Sequence, residues 1–64
     1  MTNKQREEVR KTSKNAGATI SAYDPNREKL NGTNIIHIDN NRTQVGNKMC
    51  HGEKSAKDAI NALR

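Results

Sequence analysis

The sequence predicts an α+β fold: an N-terminal helix, a three- or four-stranded antiparallel sheet, and a C-terminal helix packed on the sheet. Three observations predict it. Thr2 and Gln5 hold the Thr-x-x-Gln spacing of a capping box, and Gly17 stands where a left-handed residue ends a helix. Ala18, Ile20 and Ala22 recur at every second position, the period of a half-buried strand, and Asn31-Gly32 supplies a hairpin turn. Ala56, Ala59, Ile60 and Leu63 then fall at i, i+3, i+4 and i+7, the stripe of a helix lying on a core.

The first helix, residues 3 to 15, reads NKQREEVRKTSKN. Its apolar content is Val9, with Ala16 and the methyl of Thr12 beside it, so it is expected to be loosely attached. Ala18, Ile20 and Ala22 alternate with Thr19, Ser21 and Tyr23 as a half-buried strand does, until Asp24-Pro25-Asn26 ends the run. Residues 28–30 and 33–36 are expected to pair across Asn31-Gly32, whose type I′ turn needs positive φ angles. The β-branched density peaks between Thr33 and Asp39, with Ile36 and Ile38 on one face and Ile35 and His37 on the other, which makes this the central strand. After the turn at Asp39-Asn40-Asn41, residues 42–45 return as its partner, and Gly46-Asn47 breaks the pattern. The last helix starts near Gly52 or Ser55, the latter in a Ser-x-x-Asp spacing with Asp58, and keeps Lys54, Lys57, Asp58, Asn61 and Arg64 on its solvated side. Residues 1–64 thus read as a single small domain: a basic helix to residue 16, a sheet over 18–48 and an amphipathic helix over 53–64.

Composition bounds what this fold can do. The 64 residues include one aromatic, Tyr23, with no Trp or Phe, and 12 Lys+Arg against 7 Asp+Glu leave a net charge of +5. Low hydrophobicity with high charge is the signature of disorder, and the local helix and turn signals oppose it. A domain this small buries only about 60% of the surface its unfolded chain exposes. The large apolar residues are Met1, Val9, Ile20, Tyr23, Leu30, Ile35, Ile36, Ile38, Val45, Met49, Ile60 and Leu63. Cys50 is alone, which excludes a disulfide within the chain, and no paired Cys and His spacing of a structural zinc site occurs. Self-association into a homo-oligomer is therefore the expected source of further burial. A lone thiol fits a reducing compartment, no apolar run nears the ~18 residues of a membrane span, and the first 20 residues lack a signal-peptide core. A soluble, cytoplasmic protein without membrane contact is expected.

His37, Cys50 and His51, with Asp39 and Glu53 nearby, are the residues with metal-binding or nucleophilic chemistry. Cys50 and His51 are adjacent, and neighbours on an extended chain point to opposite sides. The favoured readings are a small buried hydrophobe for Cys50 and a half-exposed strand residue for His37, with no metal, cofactor or enzymatic activity. Glycines 17, 32, 46 and 52 match neither GxGxxG nor GxxxxGK and read as caps and turns. Free N–H groups near Gly52-Glu53-Lys54-Ser55 offer a weaker anion site beside Lys54 and Lys57, opposed by Glu53 and Asp58.

From Asn34 to Leu63 (IIHIDNNRTQVGN…GEKSAKDAINAL) the layout is similar to two small modules. One is the integrase/AP2-type DNA-binding domain, a three-stranded sheet packed on a C-terminal helix. The other is the double-stranded-RNA-binding domain, ordered α-β-β-β-α. The aromatic residues common in AP2 strands are absent here, and the lysine-rich start of the RNA module's last helix is represented by Lys54 and Lys57. The resemblance therefore implies a layout and no binding residue.

Phosphate backbones reward clustered cations through counterion release. The candidates for nucleic-acid or anion binding are Lys4, Arg6, Arg10, Lys11 and Lys14 on the first helix, Arg27, Lys29, Arg42 and Lys48 on turns and strands, and Lys54 and Lys57 on the last helix. The leading expectation is a small nucleic-acid-binding accessory protein with DNA ahead of RNA as partner, and with Asn34, Asn41, Gln44 or Arg42 reading bases if the sheet enters the major groove. The alternative is an oligomeric inhibitor or sponge that takes up a host protein or a small phosphorylated nucleotide ligand. A short polar chain of this kind resembles the small proteins carried by bacteriophages and mobile elements.

Overall fold

The computed structural model describes residues 2–64; Met1, counted above among the apolar residues, lies outside them. Among the described residues the chain forms α1 (Asn3–Ala16), β1 (Thr19–Ile20), β2 (Arg27–Leu30), β3 (Thr33–His37), β4 (Arg42–Val45), β5 (Lys48–His51) and α2 (Gly52–Asn61). The strands make one antiparallel sheet in the order β1-β2-β3-β4-β5, a plain meander with β3 at its centre. The sheet has one strand more than the largest number read from the sequence, and it runs on to His51 rather than stopping at residue 48.

The capping signals act as read. Gln5 N–H donates to Thr2 Oγ1 at 3.2 Å and Thr2 N–H to Gln5 Oε1 at 2.7 Å, satisfying two free donors at the start of α1. Gly17 ends the helix at φ 103°, a conformation costly to any residue with a Cβ, and its N–H reaches Lys14 O. Asn31 and Gly32 take φ 51° and 81°, as a type I′ turn requires, so Leu30 pairs with Thr33 and the β2–β3 register follows.

Alternation along the strands sends Glu28, Leu30, Ile35, His37, Thr43, Val45 and Cys50 inward. Both helices cover this face. Val9, Leu30, Ile35, Val45, Cys50, Ala56 and Ile60 form the buried apolar cluster, rimmed by Ala16, Ala18, Ala59 and Leu63. Full burial of a side chain such as Ile35 or Ile60 is worth about 1.5–3 kcal/mol. Cys50 is the small buried hydrophobe expected of it.

The rest of the interior is polar, which the sequence reading did not anticipate. His37 is 5% exposed and not half-exposed, and Arg6, Ser13, Glu28 and Thr43 are buried with it. Arg6 Nη1 donates to His37 Nδ1 at 2.9 Å and to Thr43 Oγ1 at 2.5 Å. Arg6 Nη2 donates to the carbonyls of Asp39 and, at 3.0 Å, Arg42, inside the β3–β4 turn. His37 Nε2 lies 2.6 Å from Glu28 Oε1, which also accepts from Ser13 Oγ at 2.8 Å. A guanidinium can only donate, so Nδ1 is the acceptor and the ring proton sits on Nε2, facing the carboxylate. The imidazole thereby bridges a buried cation and a buried anion. Among the described residues no buried side-chain nitrogen or oxygen is left without a partner.

Candidate nucleic-acid interface

Because both helices lie on one side, the other face of the sheet is bare. The same alternation that points Glu28 and Thr43 inward points Arg27, Lys29, Asn34, Ile36, Arg42, Gln44, Met49 and His51 outward. The register sets these in rows: Arg27, Ile36, Gln44 and Met49 across four strands, Thr19, Lys29 and Asn34 on one side, Arg42 and His51 on the other. With strands about 4.8 Å apart, the four-residue row spans about 14 Å, comparable with a DNA major groove about 12 Å wide. No outward strand position carries an Asp or Glu.

Acidic groups enter only from the flanking turns. Asp24 pairs with Arg27 at 3.4 Å, and Asp39 with Arg42 Nη2 at 2.8 Å. Asp39 Oδ1 also accepts from Asn41 N–H and Arg42 N–H, both at 2.8 Å. The Asn41 amide, the Arg42 side chain and its amide together hold the Asp39 carboxyl at about 2. Both arginines are thus braced at the edge of the face, with Lys29 between Thr19 and Asn34 along a shallow groove of about 300 Å³.

The remaining basic residues lie elsewhere. Lys4, Lys11 and Lys14 are exposed along α1, on the side opposite its buried Arg6, Val9 and Ser13, and so face away from the bare sheet. Arg6 is 7% exposed with its guanidinium bonded inside the molecule, where it meets no phosphate. Burial pushes that guanidinium below its ordinary value, Arg10 adds to the effect and Asp39 opposes it; the group remains a cation. Arg10 reaches Pro25 O at 3.0 Å and Asn26 Oδ1 at 2.7 Å. Lys48 is exposed on the edge strand β5.

A second groove, of about 590 Å³, opens at the start of α2 beside Gln5, His51, Lys54, Ser55 and Lys57. Lys54 pairs there with Asp58 at 3.3 Å and Lys57 with Glu53 at 3.5 Å, so both cations face acids of their own helix. His51 caps α2 without a side-chain hydrogen bond, and the Ser55–Asp58 spacing lies inside the helix rather than at its start. Cys50 points into the core and His51 to the opposite face, while His37 is held in the Arg6–Glu28 bridge. Among the described residues no group of three or more His, Cys, Asp or Glu is placed to hold a metal ion.

No protein-family model matches the chain, and neither does any curated protein or solved structure. Among the described residues no helix is long and apolar enough to cross a membrane. The functional reading therefore rests on the chemistry of the surface. Its signal in the sequence was the β3–β4 alternation, which puts Asn34, Arg42 and Gln44 on the face opposite Ile35 and Thr43.

Proposed function

We propose that the protein is a small nucleic-acid-binding accessory protein, of the kind carried by phages and mobile elements, that applies its bare sheet face to duplex DNA. The observation that carries this reading is the composition of that face: Arg27, Lys29 and Arg42 surround Asn34 and Gln44, and no outward strand position holds an acidic side chain. The cations meet phosphates, and the Asn34 amide supplies the donor–acceptor pair that matches adenine in the major groove, while Gln44, whose Nε2 donates to Gly46 O at 3.0 Å, offers its carbonyl as an acceptor. Double-stranded DNA is favoured over single strands because the strands of the face carry no Phe, Tyr or Trp on which bases can stack. No catalytic role is proposed. Titration of a labelled duplex at about 50 mM and at physiological salt tests the proposal; absence of binding at micromolar protein in the lower salt defeats it.

The exposed Ile38 and Met49, 39% and 41% accessible, favour a second reading in which the same face joins two copies of the chain and the oligomer takes up a protein or a phosphorylated ligand. Sedimentation of the free protein separates the two. A stable dimer whose association is unaffected by duplex DNA supports the second.

A further inference from the structure

The sole aromatic of the chain is also its most conspicuous exposed side chain. Tyr23 is 99% exposed, at the tip of the β1–β2 loop. A ring so placed on a mobile loop would mean little, but this loop is braced from three sides. Its base is closed by Ser21 N–H to Arg27 O at 2.9 Å and Arg27 N–H to Asp24 O at 3.0 Å. Within it, Tyr23 N–H donates to Ser21 Oγ at 3.2 Å and Asn26 N–H to Asp24 Oδ1 at 2.9 Å. From β3, His37 N–H holds Asn26 O at 2.8 Å, and from α1 both terminal nitrogens of Arg10 hold Pro25 O and Asn26 Oδ1. Pro25 fixes its own φ.

We infer that residues 21–26 form a preformed contact arm, with Tyr23 its anchor against the sugar–phosphate backbone of DNA lying on the bare sheet face, and Arg10 a positioning residue rather than a phosphate contact. The inference rests on the DNA-binding reading proposed above. The arm leads directly into Arg27, and its first residue, Ser21, lines the same groove as Arg27, Lys29 and Asn34, which puts the arm at the end of that groove. Asp24, the acid of the loop, is paired with Arg27 and adds little repulsion. A loop already ordered in the free protein loses little entropy on binding, and a tyrosine offers a large contact area for two rotatable bonds.

The test measures duplex affinity against salt for the wild type, Tyr23→Ala, Arg10→Gln and the double variant. Tyr23→Ala should bind about tenfold more weakly at every salt concentration with an unchanged salt slope, because the lost contact is a tyrosine anchor that carries no charge. Arg10→Gln should also weaken binding, and its effect should vanish in the Tyr23→Ala background. Wild-type affinity in Tyr23→Ala overturns the inference and leaves the DNA reading standing; a wild type that binds no duplex removes that reading itself. An Arg10→Gln loss that persists in the double variant, with a shallower slope, makes Arg10 a phosphate contact and overturns its positioning role. Tyr23 touches no core residue, so an unchanged melting temperature in Tyr23→Ala separates lost contact from lost fold.

Discussion

The carboxylate of Glu28 illustrates how much one side chain can depend on its surroundings. Burial raises its pKa, but hydrogen bonds from His37 and Ser13 and the nearby charge of Arg10 outweigh that and hold it below the usual 4.5. The unfolded chain takes up a proton there more readily than the folded one, so the stability that the group contributes is present above about pH 4.5 and is lost as pH falls through the folded value. Thermal melts between pH 6 and pH 3 should show this decline, and Glu28→Gln should flatten it. Glu28→Leu should cost about 3 kcal/mol in urea unfolding, since it takes the acceptor from the buried His37 Nε2–H and the Ser13 hydroxyl. Nitrogen NMR of His37 should report the Nε2–H tautomer. None of this was legible in the sequence, where Arg6 reads as one more helix cation and His37 as a half-exposed strand residue. Arg6 and His37 stand 31 positions apart and Arg6 and Thr43 37; no local period connects such partners.

Among the elements, α1 has both ends marked by local sequence motifs, while its attachment to the sheet depends on residues distant in the chain. Capping box and terminal glycine both act as their spacing implies, because these motifs are local. The expected loose attachment followed from counting apolar residues, and it overlooked that Arg6 and Ser13 hold the helix through hydrogen bonds. Thr2→Ala should therefore destabilise the protein by about 1 kcal/mol, and Gly17→Ala, forced to φ 103°, by a similar amount; equilibrium unfolding measures both. The β1 strand is shorter than its alternation suggests, since only Thr19 and Ile20 pair before the chain turns into the tyrosine loop. The β5 strand was missed because Lys48-Met49-Cys50-His51 has no β-branched residue, and Gly46-Asn47 looked like an end where it is a hairpin turn. By contrast, the buried face of α2 was readable, with Ala56 and Ile60 buried and Ala59 and Leu63 at the rim as the 3.6-residue period requires, although the helix ends at Asn61 and not at residue 64.

At the scale of the whole molecule, the fold distributes the acids of a basic chain unevenly between its two sides. On the helical side Lys54 and Lys57 are paired with acids of their own helix, whereas the outward strand positions of the bare side carry Arg27, Lys29 and Arg42 and no acid, with Asp24 and Asp39 reaching in from the turns. Composition announced the net charge but not this partition, which exists only once the helices have settled on one face. If Arg27, Lys29 and Arg42 each displace a counterion from duplex DNA, log K should fall with log salt at a slope of about −3, and Lys29→Ala should make it shallower by about 1. A slope twice as steep would bring the α1 lysines into the interface. The meander has a kinetic corollary. Every strand pairs with its neighbour in the chain, so each hairpin zips from its own turn and no crossover must be threaded. Refolding from denaturant should then finish within about milliseconds, and truncating the Arg6 side chain should accelerate unfolding far more than it slows refolding, because the longest loops close last.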